Sequence, residues 1–191
     1  MCIGQFRDSI RFMPNVLVVL AEGFEEIEAI TPIDVLRRAG VEVTTAALVD
    51  GLHVSGRSGI TLHADTTVSS VETRLFDALF LPGGPGVKHL RADPSVRGIL
   101  ARHVAADRWI AAICAAPTVL HDAGLLEGRR YTAHPSVANE LPGILATERV
   151  VMDRKLITSR GAGTALDLAL HLVDQLVSPE KSAEVAASIC A

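Results

Sequence analysis

Cys114 stands in "WIAAICAAPTVL", enclosed by alanines, where an apolar strand must give way to a helix opened by Pro117. A residue at such a junction faces the unpaired N–H groups and the positive dipole end of the helix. In that setting a thiol pKa falls from about 8.5 into a range of roughly 3.5 to 7.5, and the thiolate is the nucleophilic form. Ala112, Ala115 and Ala116 leave room for a sharp turn. The plainer alternative is an inert buried thiol, the usual fate of a free cysteine.

Two further stretches could complete the chemistry. In "LPGGPG", Gly83 and Gly84 carry no side chains to obstruct close approach and can offer backbone N–H groups to a developing oxyanion. Lys88 lacks the Gly-Lys-Ser/Thr context of a phosphate loop, so nucleotide binding is not read from this segment. In "EGFEEIE", Glu25, Glu26 and Glu28 open a helix, where acids ordinarily sit as solvated charges beside the dipole. Glu28 differs if the helix turns it inward. Beside a thiolate it would then keep its proton and donate a hydrogen bond, because two adjacent negative charges repel. His134, in "YTAHPS", follows the cysteine in a Pro-marked loop and is a candidate base or orienter, whereas His121 and His171 read as helix residues. No H-E-x-x-H or C-x-x-C pattern is present, so neither a metal nor a cofactor is expected.

The elements that position these residues alternate. "NVLVVLA" (15–21), "EEIEAITPIDVLRRAG" (25–40) and "VEVTTAAL" (41–48) read as strand, helix and strand, with Ile27, Ile30, Val35 and Leu36 on the helical period and Gly40 as its stop. "DGLHVSGRSGITLHAD" (50–65) reads as a β-hairpin on the sheet edge. "FDALFL" (76–81) and "WIAAI" (109–113) are buried strands, with a helix over 94–106 between them. "ERVVMDRKLITSR" reads as a hairpin turning at Asp153 and Arg154, followed by two helices. This pattern implies a mostly parallel sheet covered on both faces, with the site at the carboxyl ends of its strands.

The chain has 191 residues, 49% of them apolar and 4% aromatic, which suits one domain with an aliphatic core. A net charge of -4 provides no basic field for nucleic acid or an anionic membrane. Cys2, Cys114 and Cys190, odd in number and far apart, suit a reducing, cytoplasmic setting. Residues 1–12 are expected to be a loosely held extension, and residues 13–191 the domain.

Taken in order, "LAEGFEEIEAITPIDVLRRAG", "FLPGGPG", "AAICAAPTVL", "AHPS" and "LITSRGAGTALDLAL" resemble the ThiJ/PfpI superfamily, specifically the DJ-one-like branch of the parkinsonism-associated protein deglycase. The resemblance spans 14–187. It implies a flavodoxin-like three-layer α/β/α sandwich, usually a homodimer, with Cys114 as reactive cysteine, Glu28 as the protonated acid and His134 as the nearby histidine. Gly83, Gly84 and Ala115 match the family's anion-binding backbone. It also implies a cofactor-independent glyoxalase or deglycase acting on methylglyoxal, other 2-oxoaldehydes or their adducts, or else an oxidative-stress sensor or chaperone using the same cysteine. Ala115 stands where the protease-like branch has His, and Ser136 where glutamine amidotransferases have Glu, so neither of those activities is implied. Arg57 falls in the order Gly-Arg-Ser-Gly rather than Ser-Arg-Gly, and Ala162 replaces a proline.

Overall fold

A computed structural model describes residues 13–191; the extension expected at 1–12, including Cys2, lies outside the described residues. The first strand, β1 (Asn15–Leu20), explains the architecture. Val16, Val18 and Leu20 enter one core and Leu17 and Val19 the other, so a strand buried on both faces reads as an unbroken apolar run. It is followed by α1 (Glu26–Arg38) and β2 (Glu42–Ala47), joined by Gly40 at φ +81°, a left-handed position suited to glycine.

Next come β3 (His53–Ser55), β4 (Thr61–His63), β5 (Thr66–Thr67), α2 (Val68–Val71) and β6 (Ala78–Leu81). Beyond them lie α3 (Val87–Ala92), α4 (Pro94–Ala105), β7 (Trp109–Ile113) and α5 (Pro117–Asp122). The chain ends with β8 (Val150–Asp153), β9 (Leu156–Ser159), α6 (Ala165–Leu176) and α7 (Pro179–Ser188). Among the described residues the main sheet has the order β5-β2-β1-β6-β7-β9-β8, parallel except for β8, the antiparallel edge. Leu36, Leu168, Leu172 and Val185 from α1, α6 and α7 cover one face, and Val71, Leu90, Ile99 and Leu120 from α2 to α5 cover the other. The fold is therefore a flavodoxin-like α/β/α sandwich. No helix of the described residues is long and apolar enough to cross a membrane.

Two local expectations need correction. The 50–65 hairpin forms, but as its own two-stranded ribbon of β3 and β4, bridged from Gly56 to Phe24; β5 forms the main sheet's edge on that side. Ile27 and Ile30 do not belong to the buried stripe of α1, being 55% and 38% exposed. The helix instead buries Glu26, Glu28, Ala29, Ile33 and Leu36. Loop N–H groups attract the two carboxylates inward: Glu26 Oε1 accepts from Ser58 N at 2.7 Å, and Glu28 Oε2 from Gly83 N at 3.0 Å. The Glu26 bond is charge-assisted and stabilises that carboxylate on the inner face.

Candidate active site

The loops after β1, β6 and β7 meet at the carboxyl end of the sheet, where the order turns from β1 toward β2 on one side and β6 on the other. Each loop is tied to its neighbours through backbone. Glu25 N donates to Gly83 O at 3.0 Å, Gly86 N to Gly23 O at 2.9 Å, and Cys114 N to Ser159 O at 2.9 Å. His134 N donates to Cys114 O, also at 2.9 Å. The sulfur-bearing residue is thus pinned between the end of β9 and the His134 loop.

Cys114 has φ +64°, a left-handed conformation costly for a residue with a Cβ. Ala116 N closes the turn on Ile113 O at 3.0 Å, and Pro117 starts α5 with φ preset and no amide to satisfy. The strain points the half-buried thiol out of the strand, toward the loops.

Glu28 lies across from it. Glu25 caps α1 by accepting the Glu28 amide at 2.8 Å, which fixes Glu28 in the first turn with its side chain 1% exposed. Gly83 borders both acid and thiol. A Cβ on it would come within 2.4 Å of Glu28 Oε2 and 2.6 Å of Cys114 Cβ, so any larger residue would separate the pair. Burial pushes the Glu28 carboxyl up to about 7, aided by the charge of Glu25 and opposed by contact with Cys114, the Gly83 N–H and the Arg57 charge.

The thiol departs from the simple expectation of acidification. Burial, then the negative charge of Glu28 and its hydrogen bond, push Cys114 up to about 12, while the N–H groups of Gly84 and Ala115 pull it down. Burial and an ionised carboxylate outweigh the helix end while Glu28 has lost its proton; a protonated Glu28 removes the repulsion and leaves burial opposed by the two N–H donors. The pair therefore titrates as a unit.

The remaining sequence candidates divide. Gly84, at φ +93°, and Ala115 present N–H groups to the sulfur. The N–H of Gly83 is instead committed to Glu28, so this residue positions the acid rather than offering an oxyanion donor. His134 is exposed, with Nδ1 accepting from Ser136 N at 3.1 Å and lying 2.8 Å from Ser136 Oγ, which leaves the ring proton on Nε2. Its Cδ2 and Glu28 Oε1 flank Gly161, at 3.3 and 3.9 Å from where a Cβ would stand. Arg57 is exposed on the ribbon, its N bonded to Phe24 O at 2.8 Å, and its charge acts on Glu28 of its own chain.

Sequence reasoning missed Thr158 and Ser159 as positioning residues. Ser159 O holds the Cys114 amide, and Thr158 Oγ1 accepts from Thr132 N at 2.9 Å, anchoring the segment that leads to His134. Their signal was available as two hydroxyl residues ending the apolar strand in "LITSR". Among the described residues no three or more His, Cys, Asp and Glu side chains converge as metal ligands.

Known proteins are similar to this chain over most of its length. The family model described as DJ-1/PfpI family matches residues 14–175. Protein dj-1beta of Drosophila melanogaster is 42% identical over 176 residues, covering 90% of this chain and 94% of that protein. Glutathione-independent glyoxalase DJR-1.2 of Caenorhabditis elegans is 34% identical over 172 residues, covering 88% and 91%. The solved structure of oxidized Toxoplasma gondii DJ-1 superposes with a TM-score of 0.89 at 37% identity, covering 93% of this chain and 98% of that one. Because the family model spans residues 14–175 and these relatives are matched over nine-tenths of their length, the chain belongs to the DJ-1/PfpI family.

Proposed function

We propose that the protein is a cofactor-independent glyoxalase of the glutathione-independent type, converting methylglyoxal or a related 2-oxoaldehyde to the hydroxy acid and acting on glycated adducts by the same chemistry. One observation carries this reading: the Cys114 thiol and a buried, proton-holding Glu28 carboxyl meet beside Gly83. The relative named as a glutathione-independent glyoxalase supports it.

In this mechanism the reactive form of the pair has its proton on Glu28 and its charge on sulfur. The thiolate forms a bond to the aldehyde carbon while the C=O pair moves to oxygen, and the N–H groups of Gly84 and Ala115 hold that oxygen. Glu28 protonates it, giving a hemithioacetal. The resulting Glu28 carboxylate, assisted by His134, takes the proton from the former aldehyde carbon and returns it to the adjacent carbon, while the hemithioacetal hydroxyl proton passes to the neighbouring carbonyl oxygen, so that the first carbon becomes the thioester carbonyl and the second carries the hydroxyl. Water cleaves the S–C bond, releases the hydroxy acid and restores the thiol. A carboxyl near 7 suits both halves, since it gives and takes a proton at neutral pH.

Lactate formation from methylglyoxal without glutathione, measured by a coupled assay, should fall at least about 1,000-fold in Cys114→Ser, because serine at this site lacks a comparably accessible anion. Equal turnover in the two proteins would remove the proposal. The same reading places the protein in a reducing, cytoplasmic compartment, which suits free Cys114 and Cys190 thiols. It further assigns a homodimeric state, with the exposed Ile27 and Ile30 of α1 as the apolar contact.

A further inference from the structure

Arg160 follows Ser159, the residue whose carbonyl holds the Cys114 amide, and so stands at the carboxyl end of β9 beside the reactive strand junction. With His134, Arg149 and Gly161 it lines an open groove of about 400 Å³. Gly161 joins this groove to the reactive pair, because the space its missing Cβ leaves is bounded by His134 Cδ2 and Glu28 Oε1.

The two arginines of the groove are not equivalent. Arg149 is engaged: Nε and Nη2 each lie 2.7 Å from Asp167 Oδ2, and Nη2 also donates to Gly163 O at 2.9 Å. Arg160 has no carboxylate partner among the described residues and is half-buried, so its charge is neither neutralised nor fully screened. His134 adds a neutral donor, since its Nδ1 is occupied as acceptor and Nε2 carries the proton.

We propose that this groove is a carboxylate subsite, in which Arg160 selects 2-oxoaldehyde adducts that carry a carboxylate over neutral ones. A planar guanidinium matches a carboxylate in a fork, and a groove that opens beside the acid lets the anionic end lie there while the carbonyl reaches sulfur. Arg160 acts on specificity, and no bond is made or broken at it. The inference rests on the proposed reaction for its substrate, but its test uses alkylation of Cys114 rather than turnover, so a failed lactate assay and a failed subsite are told apart.

The probes are iodoacetate and iodoacetamide, equal in chemistry and different in charge. Each loses iodide as the S–C bond forms, with the thiol proton passing to buffer. Modification is read by mass on the peptide containing Cys114, with exposed Cys190 as internal reference. The repulsion of Glu28 for iodoacetate is common to all variants and cancels in the comparison. The rate ratio of iodoacetate to iodoacetamide at Cys114 should drop roughly fivefold in Arg160→Gln, the scale of one part-exposed charge pair, and fall to a value between those of wild type and Arg160→Gln in Arg160→Lys, which keeps the charge without the fork. In the unaltered protein the ratio should also fall as salt rises from about 0.02 to about 0.5 M, which decides the matter should the glutamine variant not fold. A ratio unchanged by Arg160→Gln, or indifferent to salt in the native protein, overturns the subsite.

Discussion

At the level of single residues, the site depends on where one proton resides. Glu28 has an ordinary value of 4.5 in the unfolded chain and about 7 when folded, chiefly because burial disfavours its charge. The folded state therefore binds more protons between those values, and stability falls as pH rises from 4.5 to about 7, then levels off. The gap corresponds to about 3 kcal/mol at most. Glu28→Gln removes this cost while its amide still accepts from Gly83. Denaturant unfolding should show the variant gaining on wild type across that window by up to about 3 kcal/mol, with turnover lost because an amide cannot shuttle a proton. Parallel stability curves from pH 4 to 8 would rule out the buried acid as described. Cys114 shows the same principle: its seat at a helix start was legible in "AAICAAP" and Glu28 was expected beside it, but that burial would push the thiol up against the helix end was not, since burial depends on residues far away in the chain.

At the level of elements, the sheet's second face holds a titratable group that takes no part in the chemistry. His103 on α4 is fully buried, with Nδ1 donating to Ile99 O at 2.8 Å and Nε2 accepting from Phe76 N at 3.3 Å, just ahead of β6. Both nitrogens are satisfied by the neutral ring. Burial lowers its pKa from 6.5, reinforced by the charges of Arg102 and Arg108 and opposed by the bond to Ile99. A depressed histidine contributes stability that is whole above 6.5 and is lost as pH falls below it toward the folded value. His103→Gln should cost about 1 to 2 kcal/mol at pH 8 but flatten the acid side of the stability profile by up to about 1.4 kcal/mol per pH unit. An unchanged acid slope would contradict this. The effect runs opposite to that of Glu28, so wild-type pH curves mix the two and single variants are needed to separate them. The strands and long helices of this layer were readable from periodicity. The short α2 and α3 were not, because four and six residues carry too little pattern to distinguish a helical turn from a loop.

At the level of the whole molecule, the first turns of α1 depart from a simple amphipathic reading, with Glu26 and Glu28 inside and Ile27 and Ile30 outside. Ile27 and Ile30, together with Ile60 at 52% exposure on the ribbon, give an isolated copy an apolar surface that a second copy would cover. Light scattering at micromolar concentration should report a dimer, and Ile27→Lys with Ile30→Lys should weaken it at least about tenfold, since charges would replace buried aliphatic area in both copies. A monomeric wild-type protein would sink the proposed assembly. By itself the sequence determined the doubly covered parallel sheet, the cysteine at its strand junction and the loops that surround it, because periodicity, small residues and turn chemistry are local properties. Only the tertiary structure decided that Glu28 turns inward, that Gly83 serves the acid instead of an oxyanion, and that Arg160 lies beside the site with no carboxylate partner among the described residues. Those outcomes depend on competition between burial and hydrogen bonds supplied by distant segments, and that balance is struck only when the chain is packed.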